Sequence, residues 1–283
     1  MRQAGVEVAK YHSIFWLDPR RYNNRSHRKL LIVDGRTAFV GGVGIADEWN
    51  GNAQDPKHWR DNHYTVTGPV VAQLQAAFMS NWLTARGNVL HGRDYFPPLA
   101  DTGASTAQAV ISSPRNGNLD LLYLLAIASA QKTLRIENAY FLPDEITRKE
   151  LIAAAKRGVK VEIVVPGKHI DQKLVRLASM QHWPKLLQAG IKIYEYQPTM
   201  LHVKLLIVDD TFVSVGSGNF DNRSLRLNDE ANLDVLDTDF AARQTELFTK
   251  DQRQCREVGL GKTGDLMFLH PLTQAAGLAA PEL

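Results

Sequence analysis

The sequence predicts an α/β protein built as two similar lobes about a pseudo-twofold axis, with the first lobe short on its N-terminal side. Three observations predict it. Apolar, β-branched runs alternate with stretches of helical period, and they do so twice along the chain. One block of eighteen residues occurs twice without a gap: HRKLLIVDGRTAFVGGVG from His27 and HVKLLIVDDTFVSVGSGN from His202, with nine positions identical. The opening residues RQAGVEVAK match LLQAGIKIY, which runs into the second block, so about 80 residues (roughly 107–185) have no counterpart in the first half. The expected lobes are 1–100, N-terminally incomplete, and 101–283, which includes a C-terminal tail. Either the chain is a piece of a longer one, or a partner covers the sheet edge that the short lobe leaves open.

The elements follow in order. Tyr11 to Ser26 reads as a polar linker, and its Arg20, Arg21 and Arg25, with Arg28 beyond it, suit either an anionic phosphate or open solvent. In the first block, LLIV and TAFVGG read as paired strands. Ile45 to Asp61 is a loop whose Trp49 and Trp59 are expected in the core. Val70 to Arg86 has helical spacing, with Leu74, Phe78 and Trp82 on one face, and stops before Gly87. Residues 87–106 are rich in Gly, Pro, Asp and Thr and link the lobes. AQAVISS is a strand, Leu119 to Ser129 an apolar helix, and TLRIENAYF a strand. Asp144 is placed to cap a helix that ends before Gly158. VKVEIVVPG reads as a buried strand, and a helical stretch interrupted near Pro184 runs to Gly190. IKIYEYQ then leads into the second block. ANLDVLD is a strand and Thr238 to Cys255 an amphipathic helix. The tail from about residue 258 has no clear period, and its LMFL run suits packing on the lobe or touching a membrane.

Composition sets looser bounds. The chain has 283 residues, 44% apolar and 22% charged, with net charge +3 and pI near 8.9. That is ordinary for a globular protein and mildly basic, compatible with acidic lipid or nucleic acid and diagnostic of neither. The single Cys255 excludes an internal disulfide framework. No apolar run approaches the roughly 18 residues of a membrane span, and the start does not read as a signal peptide.

Chemistry concentrates in the repeated block. Side chains two apart on a strand share a face, so His27 points with Lys29 and His202 with Lys204. Imidazole suits nucleophilic or acid–base work near neutral pH, and an ammonium beside it suits an anion such as phosphate. A metal fits poorly, because Lys would repel it. The glycines that close each block, Gly42 in the first and Gly216 and Gly218 around Ser217 in the second, can bring backbone N–H groups close to phosphate oxygens. Asn219 offers a side-chain donor. Asp34 and Asp209 end the motifs, placed either for chemistry or to pair with Lys or backbone.

Two HxKx4D copies, the second followed by GSGN, resemble the phospholipase D superfamily. The flanks IENAYFLPD, GSGNFDNRSLRLNDEANL and WRDNHYTVTGPVVAQLQ are similar to bacterial cardiolipin synthases, from about residue 2 to about 250. The resemblance implies that one of His27 and His202 attacks phosphorus to form a phosphohistidine while the other moves the proton; family habit gives the attack to His27. It implies that Lys29, Lys204 and Asn219 stabilise the phosphoryl oxygens, and that no metal or organic cofactor takes part. It points to Glu230 and Asp61, which the repeat aligns, as acceptors that orient the two imidazoles. The first block departs from the pattern at Gly44, where the family has Asn or a similar donor. The implied activity is phosphatidyl transfer, from phosphatidylglycerol to cardiolipin plus glycerol. Hydrolysis of lipid or nucleic acid, or an inactive remnant that only binds, are the other readings. The expected partners are a phospholipid and a peripheral membrane surface on the cytoplasmic side, with self-association over the incomplete lobe and nucleic acid disfavoured.

Overall fold

The computed structural model describes residues 1–11, 24–114 and 116–260. Arg20, Arg21 and the LMFL run lie outside them.

The first lobe is a three-stranded antiparallel sheet: β2 (Leu30–Val33), β3 (Thr37–Gly41) and β4 (His63–Thr67), with β3 in the centre. Helix α1 (Val70–Arg86) follows and packs on this sheet with Val71 and Leu74 fully buried. It ends at Gly87, whose φ of 76° is the left-handed cap a glycine adopts most readily. Phe78, expected on the buried face, is 40% exposed and stacks on Trp82 at the rim.

The second lobe carries a nine-stranded mixed sheet. Its strands are β1 (Arg25–Ser26), β5 (Thr106–Ser112), β6 (Thr133–Asn138), β7 (Lys160–Pro166), β8 (Lys192–Tyr196), β9 (Lys204–Val208), β10 (Phe212–Gly216), β11 (Asn228–Leu236) and β12 (Cys255–Glu257). The order is β1-β11-β10-β9-β6-β7-β8-β12, and β5 pairs with the remaining length of the β11 edge. Both blocks therefore form the same unit, an antiparallel pair whose second strand pairs with a third: β2-β3-β4 in one lobe and β9-β10-β11 in the other.

One face of the large sheet is covered by α2 (Asn118–Ser129), α3 (Glu145–Lys156), α4 (Lys173–Met180) and α5 (Trp183–Gln188), around Leu119, Ile127, Leu151, Ile163 and Trp183. Asp144 caps α3 by accepting from the Thr147 N–H at 2.9 Å. The other face meets the first lobe and α6 (Thr238–Gln252): Val40, Val66 and Leu74 share a core with Leu205, Ile207, Val215 and Phe248. The shared core seats the blocks against each other.

Two differences from the sequence reading have physical causes. Arg25 and Ser26, read as linker, form β1 by parallel pairing with Asn228 and Asp229 of β11; two polar residues carry no strand pattern of their own. Cys255, read as the end of the last helix, begins β12, because the chain turns after Gln252 to pair with the free edge of β8.

The blocks differ in what surrounds them. In the second lobe β9 lies between β10 and β6, and Leu206 and Val208 are 1% and 5% exposed. In the first lobe β2 pairs only with β3 among the described residues, and the equivalent Leu31 and Val33 are 58% and 44% exposed.

Candidate active site

Strand pairing carries the site across the seam between the lobes. The β1–β11 pairing continues through His27, whose N–H donates to the Asp229 carbonyl at 2.9 Å. That register sets the His27 ring over Glu230, with Nδ1 3.0 Å from both carboxylate oxygens. On the other side, Arg60 bridges to Leu201, and the His202 N–H donates to the Arg60 carbonyl at 2.7 Å. His202 Nδ1 lies 2.7 Å from Asp61 Oδ2. The pairing is crosswise: each histidine meets the carboxylate of the other half. A carboxylate on Nδ1 claims its proton and leaves Nε2 with a lone pair, the tautomer that nucleophilic and base chemistry need.

Each carboxylate is held in turn. Glu230 is fully buried and also accepts from Ser217 Oγ at 2.5 Å, while Ser217 Oγ accepts from the Ala231 N–H at 3.0 Å. Burial alone would raise the Glu230 pKa, but His27 and the hydroxyls of Ser217 and Ser224 outweigh it and hold it below the usual carboxylate range. Asp61 accepts from Trp49 Nε1 at 3.0 Å; burial is again outweighed, by His202, Lys204 and Trp49, and its pKa is lowered.

The two lysines converge on the same place. Lys29 Nζ donates to the His27 carbonyl at 3.1 Å and Lys204 Nζ to the His202 carbonyl at 2.5 Å. Lys204 Nζ also lies 2.9 Å from His202 Nδ1. One ring nitrogen cannot both donate to Asp61 and accept from Lys204, and the closer, charged carboxylate wins the proton. Lys29 and Lys204 both feel the charges of Glu230 and Asp61 and repel each other, which places all four groups in one electrostatic neighbourhood. Burial, with Lys29 nearby, pulls the Lys204 pKa down to about 7. Burial and Lys204 pull His202 down to about 4 against the opposing effect of Asp61. Asn219 is buried, with Nδ2 3.3 Å from Ser224 Oγ and, among the described residues, no partner on Oδ1. Asp221, which accepts from the Ser224 N–H, is raised by burial to about 7.

Several expectations are corrected by this geometry. Asp34 and Asp209 sit at the far ends of β2 and β9, about 16 Å along the strand from each lysine at about 3.3 Å per residue. They are turn residues with φ of 53° and 51°, each in a tight turn closed by an i to i+3 bond (Arg36 N–H to Val33 O, Thr211 N–H to Val208 O). Asp209 also accepts from the N–H groups of Gln131, Lys132 and Thr133 at 2.7–2.9 Å. Neither takes part in the site. The block-closing glycines do not cradle an anion through free amides either. The Ser217 N–H donates to the Ala231 carbonyl, the Gly218 N–H to Asn232 Oδ1 and the Gly42 N–H to the Asn62 carbonyl. Gly42 and Gly216 serve close approach instead: a Cβ on Gly42 would lie 2.3 Å from Asp61 Oδ1, and one on Gly216 2.4 Å from the Ala231 carbonyl. Arg28 is a suture rather than a phosphate ligand, donating to the carbonyls of Ala77, Ser112 and Glu230 and to Asn81 Oδ1.

Three aromatic rings, of which two were read as core, surround His202: Trp49, Trp59 and Tyr140 have centroids 5.4, 5.2 and 6.2 Å from it. They account for the departure at Gly44. A Cβ there would meet the Trp49 ring at 3.0 Å, so in this half indole occupies the space an Asn side chain would need. The signal was available in the sequence as tryptophans flanking a block-aligned Asp, but nothing in their spacing separated site from core.

Two imidazoles held by carboxylates on Nδ1, the buried Lys204, the half-buried Lys29 and the buried side-chain amide of Asn219 are the groups that exchange at a phosphodiester would need. Comparisons agree. Residues 123–252 match the family model described as cardiolipin synthase, PLD-like domain. That match covers under half of this chain, which is similar to members of the phospholipase D superfamily. Within it, the chain is similar to bacterial cardiolipin synthases: 37% identical over 263 residues to cardiolipin synthase A of Pseudomonas putida (91% of this chain, 54% of the relative). It is 36% identical over 263 residues to cardiolipin synthase 2 of Bacillus anthracis (91% and 51%). The chain thus spans about half the length of the curated relatives it matches. The phosphatidylserine synthase of Haemophilus influenzae shares the fold, with a TM-score of 0.69 and 17% identity over 93% of this chain and 72% of that one.

Proposed function

We propose that the chain transfers a phosphatidyl group through a phosphohistidine, as a cardiolipin synthase does. The crosswise pair of histidine–carboxylate dyads flanked by Lys29 and Lys204 carries this reading, since a double displacement at phosphorus needs a nucleophile and a proton shuttle on opposite sides. In the first step Nε2 of one imidazole attacks the phosphorus of phosphatidylglycerol. The bond from phosphorus to the glycerol oxygen breaks, and the other imidazole, which enters this step as the imidazolium with protons on both Nδ1 and Nε2, gives that oxygen the Nε2 proton. In the second step the same imidazole takes the proton from a headgroup hydroxyl of a second phosphatidylglycerol. That oxygen attacks phosphorus, the P–N bond breaks, and cardiolipin leaves. Lys29, Lys204 and Asn219 offset the charge gathering on the non-bridging oxygens. The relatives' name supports lipid as the substrate.

The test is product analysis with phosphatidylglycerol vesicles. Cardiolipin and glycerol in equal amounts are expected. Phosphatidic acid alone would replace transfer by hydrolysis, and no product would leave a binding remnant. Access to lipid is proposed to be peripheral and cytoplasmic, since no helix of the described residues is long and apolar enough to cross a membrane. Flotation with the same vesicles should weaken as salt rises; absence of flotation at low salt would reject it. The open β2 edge with Leu31 and Val33 is proposed to pair with a second copy, expected as a dimer in sedimentation that Leu31→Lys dissociates. A monomer at high concentration would reject that.

A further inference from the structure

Arg60 and Asp251 lie outside both repeated blocks, yet they meet at the seam. The Arg60 backbone already ties the lobes, donating to the Met200 carbonyl at 2.8 Å and accepting from the His202 N–H at 2.7 Å. Its guanidinium grips Asp251 in the last turn of α6: Nε donates to Oδ1 at 3.0 Å, and Nη2 lies 2.6 Å from Oδ2. The remaining arm, Nη1, donates to the Asp61 carbonyl at 2.7 Å and to Asn62 Oδ1 at 2.5 Å. One fork thus holds α6 on one side and the backbone of Asp61 and Asn62 on the other. Fork-to-carboxylate pairing fixes direction as well as distance.

Two further observations give this grip its importance. A cavity of about 540 Å³ opens beside the loop that carries Asp61, lined by Trp49, Trp59, His63 and Lys250 as well as Arg60 and Asp251. On that side the loop has space to move into, so the ion pair restrains it where packing does not. Asp251 is also 2% exposed, and Glu137 on β6 is wholly buried beside it. Burial and the Asp251 charge push the Glu137 pKa well above the usual carboxylate range, and Arg60 opposes them.

We propose that Asp251 is a positioning residue for the transfer reaction: held by Arg60, it fixes the loop that presents Asp61 to His202, and so sets the aim of that imidazole. The activity arm of the test rests on the transfer reading above; the spectroscopic arm does not.

The experiment uses the full chain with ¹⁵N-labelled histidine. Asp251→Asn keeps the volume and removes the charge. A misplacement of about 1 Å can cost about 100-fold in rate. The expected result is a kcat for cardiolipin formation lower by about that factor, with KM for phosphatidylglycerol within about twofold. The His202 Nδ1 resonance should move away from that of a carboxylate-bound proton while the His27 resonances stay in place. Arg60→Lys keeps the charge and loses the fork; it should show the same pattern more weakly, and it stands in if Asp251→Asn does not fold. Arg176→Ala, which removes a partly buried ion pair between α4 and Glu195 of β8, should lower the melting temperature and leave kcat and the His202 spectrum alone. Wild-type kcat and His202 resonances in Asp251→Asn would overturn the proposal. So would an equal loss of kcat in Arg176→Ala. If wild type itself shows no turnover, the transfer reading fails, and the His202 resonance alone decides whether Asp251 positions Asp61.

Discussion

Replacing either histidine is expected to abolish cardiolipin formation: His27→Ala and His202→Ala should each lose about 10⁴-fold or more, and the double variant should be no worse than either single one. A double displacement has no partial form. Without the attacking imidazole no covalent intermediate exists; without the proton shuttle the glycerol oxygen departs as an alkoxide. Groups that act as a unit are non-additive for this reason. The carboxylates are expected to fall between. Asp61→Asn and Glu230→Gln keep the hydrogen-bonding shape, but an amide tolerates the wrong tautomer and does not stabilise an imidazolium, a change worth up to about 10⁴-fold where it has been made in a triad. The check is turnover with phosphatidylglycerol, together with mass mapping of alkali-quenched enzyme for phosphohistidine. Intermediate that accumulates in one alanine variant and is absent from the other identifies the nucleophile. Equal residual turnover in both variants, near wild type, would remove the two-histidine mechanism.

The second large effect is on pH. Lys204 is pulled down to about 7 by burial, whereas in the unfolded chain it titrates near 10.5. Between those values the unfolded chain holds a proton that the folded chain lacks, so stability rises with pH from about 7 to about 10.5, and the full cost of burying this group applies below about 7. Several kcal/mol are at stake for a shift of this size, at about 1.4 kcal/mol per pH unit. Binding runs the other way. A phosphoryl oxygen beside Lys204 favours the ammonium, so above about pH 7 an anionic headgroup must bring a proton with it. Its affinity should then fall by up to about tenfold per pH unit. Calorimetry of a phosphate-bearing headgroup analogue at pH 8 in buffers of different ionisation enthalpy should show uptake of about one proton, and Lys204→Met should show none. Buffer-independent heats in wild type would contradict the placement of Lys204 at the phosphate.

The sequence made the repeated strands, their turns and both HxK faces legible, because all of these depend on residues a few positions apart. It did not reveal who partners whom. Alignment of the halves makes Asp61 and Glu230 equivalent but does not say which histidine each meets; in the fold each meets the histidine of the other half, because β1 crosses to pair with β11 and Arg60 crosses to Leu201. Gly216 to Gly218 read as an anion cradle because the residues that consume the amides of Ser217 and Gly218, Ala231 and Asn232, arrive on the neighbouring strand. Trp49 and Trp59 read as core because their apolar area is visible in a sequence and their distance from His202 is not. Arg28 read as a cation for either phosphate or solvent because charge is legible and the three carbonyls that absorb it are not.

The exchange of partners has a consequence for how the two halves depend on the segment 87–105 between them. Cut in that segment, each half would keep a histidine and lose its carboxylate, so neither half could work alone. Mixed together, they would recover turnover only as fast as they met, and the rate would depend on the product of two concentrations. The intact tether replaces that search with an effective concentration in the millimolar range. By this measure the segment turns a second-order assembly problem into a first-order one.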